Sequence, residues 1–215
     1  MTSPLAWALV ATVVALLIGG DDGSRWHWTV PGLFLGYAGL WLLGRRVPAP
    51  RLPRLVAGAA YVVAGLAAGV LFEVGLTVDG TGVGGLHPDT TTSFLLLPGY
   101  LVPAVGLTLL AVARYGLDAR QAFFVAGGMC WFEALTVGGP SMLAAPWFAP
   151  LALVFYVASY AVYTGALGLL LVDPRSLWVT KPRPASRRWL AAYSFVGGAV
   201  AWLCFGAWSL IVPSG

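Results

Sequence analysis

Nearly all the charge in this chain is confined to short segments between long apolar runs, and that arrangement leaves few folds open. The runs are about Pro4–Gly20, Trp28–Gly44, Leu55–Leu76, Ser93–Ala113, Gln121–Val137, Trp147–Val172 and Trp189–Val212. Each is close to the ~20 residues that a helix needs to cross about 30 Å of hydrocarbon. Of the 215 residues, 59% are hydrophobic and 9% charged, where a soluble domain carries about 25% charged residues. That is too little charge for a water-facing surface, so the solvent for most side chains must be lipid. The expected fold is all-α: a polytopic membrane bundle of seven transmembrane helices, forming a single transmembrane domain over residues 1–215. The first run has no Lys or Arg before it, which a signal peptide would need, and it is read as the first span.

Charge then orients the bundle. Arg45, Arg46, Arg51 and Arg54 lie between the second and third runs, and Arg114 and Arg120 between the fourth and fifth. Arg175, Lys181, Arg183, Arg187 and Arg188 lie between the sixth and seventh, while the alternate loops hold only Arg25. The positive-inside rule places the N-terminus in the cytoplasm and the C-terminus outside. Asp21, Asp22, Glu73, Asp79, Asp89, Glu133, His27 and His87 collect toward the outer side, with Asp118 and Asp173 as inner exceptions. A net charge of +4 arranged this way sets topology and gives no sign of a nucleic-acid partner. The preference for Arg over a single Lys fits a GC-rich bacterial source, and the expected location is a cell membrane.

Ionisable residues inside spans are costly and are functional candidates by default. Two carboxylates qualify. Glu133 is placed roughly 10 Å below the outer boundary, at about 1.5 Å of rise per residue. Glu73 is placed about one turn from that boundary, the shallower and better solvated of the two. Desolvation disfavours an anion in hydrocarbon, so an acid there is suited to donating a proton, and a second carboxyl can restore it. Gly65, Gly69 and Glu73 share one face of the third span, a stripe of small residues that lets another backbone come close. The segments around Phe72-Glu73 and Phe132-Glu133 echo each other, hinting at a short internal repeat.

Aromatic residues are spread over several spans. Tyr156, Tyr160 and Tyr163 recur at helical spacing on the sixth span. Tyr100, Trp131 and Trp202 add rings from other spans, and ring faces stabilise cations. These six are the candidate substrate-binding residues. Trp26, Trp28, Trp147, Trp178 and Trp189 are read as interface anchors. Pro98 and Pro103 free carbonyls in the fourth span that must be buried or line a cavity, and the pair reads equally as a simple kink or as a break lining a site.

Several chemistries drop out. The seventh span has no lysine for a retinal Schiff base, and no diphosphate-binding DDxxD, HExxH or glycine-rich phosphate loop is present. Cys130 and Cys204 lack metal-ligand spacing, so neither a metal nor another cofactor is expected. With its seven runs, its length and its Phe72-Glu73 and Phe132-Glu133 pairs, the chain resembles the small integral-membrane terpene cyclases of meroterpenoid and indole-sesquiterpenoid pathways. The resemblance implies a proton-initiated carbocation cyclisation of a lipophilic isoprenoid, with Glu133 as acid and Glu73 as its partner. That family also places an acid late in the chain, which the last run here lacks. A carotenoid hydratase or cyclase working by alkene protonation is the neighbouring reading. A proton-coupled carrier or a structural membrane subunit is the reading from a different class.

Overall fold

The computed structural model describes residues 3–18, 26–77, 90–136, 149–179 and 181–212. Asp21, Asp22, Arg25, Asp79, His87, Asp89 and Trp147 lie outside the described residues, as do the side chains of Trp26, His27 and Trp28. Among the described residues every regular element is helical. In order they are α1 (Pro4–Ile18), α2 (Trp26–Arg46), α3 (Arg54–Thr77), α4 (Thr90–Tyr115), α5 (Ala119–Gly127), α6 (Cys130–Thr136), α7 (Ala149–Tyr163), α8 (Gly168–Leu171) and α9 (Arg187–Ser209). Three stretches, Arg54–Gly75, Thr91–Tyr115 and Arg187–Ser209, are long and apolar enough to cross a membrane. Their outer faces carry large exposed apolar side chains, among them Leu55, Val63, Leu71, Val102, Leu110, Val196 and Leu203. Such faces are stable against lipid and not against water.

The core lies where α3, α4 and α7 meet, with α1 and α2 packed on one side and α9 on the other. The small-residue stripe of α3 works as its spacing requires. A side chain at Gly65 would stand 3.1 Å from Cα of Gly165, and one at Gly69 would stand 2.5 Å from the Leu101 side chain on α4. Absence of a Cβ is therefore what brings α3 against both neighbours. Tyr193 of α9 donates from its hydroxyl to the Leu107 carbonyl of α4 at 2.8 Å, and Trp208 donates from Nε1 to the Leu95 carbonyl at 2.7 Å.

The helix breaks fall elsewhere than the prolines suggest. α4 runs unbroken through Pro98 and Pro103. The Trp208 indole is seated against Gly99 and donates to the Leu95 carbonyl, which packs α9 against the proline-bearing turn of α4. The fifth apolar run is instead divided at Gly128 and Met129, and the sixth at Thr164–Leu167. In the second break Gly165 has φ +102, a conformation that costs L-residues dearly, and its neighbours wrap around Tyr61. The Ala166 amide reaches back to the Ala161 carbonyl at 2.9 Å, and the Thr164 hydroxyl donates to the Tyr160 carbonyl at 2.6 Å. The break is thus satisfied internally.

The three Arg-bearing loops gather at one end. Arg51 pairs with Asp173 at 3.1 Å, and the Leu52 amide donates to Ser176 Oγ at 3.1 Å. The Val179 and Arg183 amides donate to the Ala113 and Arg114 carbonyls, both at 2.9 Å. Trp178 Nε1 donates to the Leu117 carbonyl at 3.3 Å, which ties this Trp to the loop before α5. Both inner acids have local roles. Asp118 closes a capping box with Gln121 at the start of α5, and Asp173 caps the 3-10 turn Pro174–Ser176 besides pairing with Arg51.

Candidate functional site

Tyr100 of α4 is the hub of the opposite half. Its ring lies 6.0 Å from Tyr160 and 5.9 Å from Tyr163 on α7, and 5.7 Å from Trp202 on α9. Helical spacing on α7 delivers Tyr160 and Tyr163 to the same neighbour because both lie on the face turned toward α4. Tyr163 then packs edge-on against Phe72 at 5.8 Å, and Phe72 against Phe34 at 6.1 Å. Trp202 continues to Phe205 at 5.2 Å. The result is a chain of rings crossing the bundle from α2 to α9, in offset and edge-to-face contacts that suit aromatic quadrupoles.

Both carboxylates lie within electrostatic range of this chain of rings. Glu73 follows Phe72 on α3, is only 1% exposed, and accepts a hydrogen bond from the Ser93 hydroxyl of α4. Glu133, on the short helix α6, is half-buried. It lies within electrostatic range of the Tyr100, Tyr156 and Tyr163 hydroxyls and of the Cys130 thiol. Tyr163 is also within electrostatic range of Glu73. Separate elements bring them there: α3 carries one acid, the α5–α6 break aims the other, and α7 supplies the hydroxyl.

Polar atoms around the rings are left without protein partners. Tyr100 Oη, Trp202 Nε1 and Ser159 Oγ are all buried and make no hydrogen bond among the described residues. A buried hydroxyl or indole N–H without a partner is costly. Three such atoms on α4, α7 and α9 suit a site where a guest or ordered water completes the bonding. Among the described residues no cluster of His, Cys, Asp and Glu could hold a metal ion.

Placement of the expected residues is mixed. Tyr100, Tyr160, Tyr163 and Trp202 come together, Glu73 and Glu133 lie within electrostatic range of Tyr163, and Tyr156 sits at the margin beside Phe155. Trp131 does not join them. It is 41% exposed and faces away, because the fully buried Cys130 and the nearly buried Ala134 occupy the inward side of α6. The relative burial of the acids is also reversed: Glu73, expected to be the better solvated, is the more enclosed. Depth along a helix does not fix burial; Ser93 and the neighbouring helix close over Glu73, while α6 leaves Glu133 partly open. The echoed Phe-Glu pairs have different surroundings, since Phe72 packs in the core and Phe132 against Phe195 of α9. Ser93 and Ser159 were not among the expected site residues, and nothing about a serine in an apolar run sets it apart. Comparison with protein families, curated proteins and solved structures gave no match.

Proposed function

We propose that this chain is a seven-span membrane enzyme that protonates a lipophilic isoprenoid and guides the resulting carbocation to a ring-closed isomer. The Arg-rich end faces the cytoplasm, and the acid-bearing half lies toward the outer face of a bacterial cell membrane. The observation that carries the reading is the line of aromatic rings through Tyr100 and Tyr163, with Glu73 and Glu133 both within electrostatic range of Tyr163.

The chemistry would run as follows. The Glu133 carboxyl transfers its proton to an alkene carbon, or to the oxygen of an epoxide, and the electron-poor carbon left behind is attacked by an internal double bond. A carbon–carbon bond forms and the positive charge moves to a new carbon, over the faces of Tyr100, Tyr160 and Trp202. Glu73, held in place by Ser93, takes a proton from the neighbouring carbon and the last double bond closes. Tyr163 passes that proton back toward Glu133. No atom is gained or lost, so substrate and product share one mass.

Expression in a host that supplies farnesylated or epoxidised prenyl compounds tests this directly. New isomers of unchanged mass, absent with Glu133→Gln, support the reading. A product heavier by water points to the hydratase alternative. A proton-coupled carrier is the second reading, favoured by the breaks at Gly128–Met129 and Thr164–Leu167, since broken helices often frame transport sites. It predicts no product in either version and a proton-driven flux in liposomes that Glu133→Gln abolishes.

A further inference from the structure

At the Arg-rich end, a pocket of about 300 Å³ lies where the start of α3 meets the end of α4 and the chain that follows α8. Its walls include Arg54, Arg114, Lys181 and Arg183, with Leu110 and Val179 supplying apolar surface. Among the described residues no carboxylate lines it and none of the four cations forms an ion pair. Like charges brought together in this way repel unless an anion sits among them. Arg54 adds to the imbalance because it opens α3, where the helix dipole disfavours a cation.

The pocket is built by backbone bonds. The amides of Val179 and Arg183 both donate into the end of α4, at 2.9 Å each. Those two bonds strap the loop across the helix terminus and hold Lys181 and Arg183 opposite Arg54 and Arg114. The apolar flank is equally specific. Leu110, one turn before Arg114, is 52% exposed, and Leu55, beside Arg54, is 88% exposed. A free phosphate would satisfy the charges and leave these leucines bare. A lipid satisfies both, with its phosphate among the cations and its acyl chains against Leu55 and Leu110.

We propose that this pocket binds the phosphate head group of an anionic phospholipid from the adjoining leaflet. The inference rests on the membrane reading alone and is independent of the acid chemistry at Glu133. The test uses full-length protein in detergent, titrated with phosphatidylglycerol, phosphatidylcholine or inorganic phosphate, reading thermal stability and bound lipid by native mass spectrometry. Saturable stabilisation is expected with phosphatidylglycerol and not with phosphatidylcholine. The variant K181Q/R183Q should weaken that binding by about fivefold for each charge removed. The variant R187Q/R188Q removes equal charge outside the pocket and should bind as the parent does. Arg54→Gln, on a different element, provides an independent check should the loop variant not fold. Equal response to the two lipids would overturn the proposal, as would equal losses in the two double variants. Stabilisation by inorganic phosphate with nothing added by phosphatidylglycerol would overturn the lipid assignment.

Discussion

The Ser93 hydroxyl donates a hydrogen bond to Oε1 of Glu73, linking α4 to α3 at a point where both residues are buried. This bond orients a carboxylate that hydrocarbon would otherwise leave exposed to its own desolvation cost. Ser93→Ala removes the donor and should lower stability by on the order of 1 kcal/mol. Glu73→Gln keeps an acceptor oxygen and should lose less. Thermal unfolding of both variants in one detergent checks the order. A greater loss in E73Q would show that charge, and not the Ser93 bond, fixes this contact.

Glu133→Gln preserves size and hydrogen-bonding capacity while removing the transferable proton. Product formation should fall by about 10²-fold or more, the usual contribution of a positioned acid, with the unfolding temperature near that of the parent. Tyr163→Phe keeps the ring against Phe72 and Tyr100 and removes only the hydroxyl within electrostatic range of both acids. It should slow steady turnover more than a single turnover. Equal slowing of both would remove the relay from the mechanism.

The break between α7 and α8 depends on one backbone conformation. Gly165 at φ +102 leaves no room for a side chain beside Tyr61, so Gly165→Ala should destabilise by more than about 1 kcal/mol. Gly106, inside α4, has open space where a methyl would go. Gly106→Ala should be neutral or stabilising by up to about 1 kcal/mol through helix propensity. Paired unfolding measurements distinguish the two effects, and similar changes at both positions would contradict the strain argument.

Orientation in the bilayer is open to labelling. Cys130 is buried and Cys204 exposed, so Cys204→Ser leaves a quiet background for an introduced thiol. Pro184→Cys, on the exposed stretch before α9, should react with an impermeant maleimide in inside-out vesicles and not in intact cells. The reverse pattern would invert the bundle.

Composition and charge spacing were enough to read an all-helical chain with helices of membrane-spanning length. The reason is physical: a side chain in lipid has few permitted chemistries, so the pattern of exclusion is written along the sequence. Grouping of Arg51, Arg114 and Arg183 at one end was legible for the same reason, because their loops alternate with apolar runs. The small-residue stripe at Gly65 and Gly69 was legible too, since helical period alone fixes a face. What lies across that face is not periodic, and there the tertiary structure decided. Pro98 and Pro103 are expected to disturb a helix, yet α4 runs on through both, with Trp208, far along the chain, packed on Gly99 and bonded to the Leu95 carbonyl. Trp131 turned outward because Cys130 and Ala134 fill the inward side of α6, and Glu73 became the more buried acid because Ser93 closes over it. Long-range neighbours set each of these outcomes. Local sequence determines which faces a helix offers, and only packing determines which of them is met.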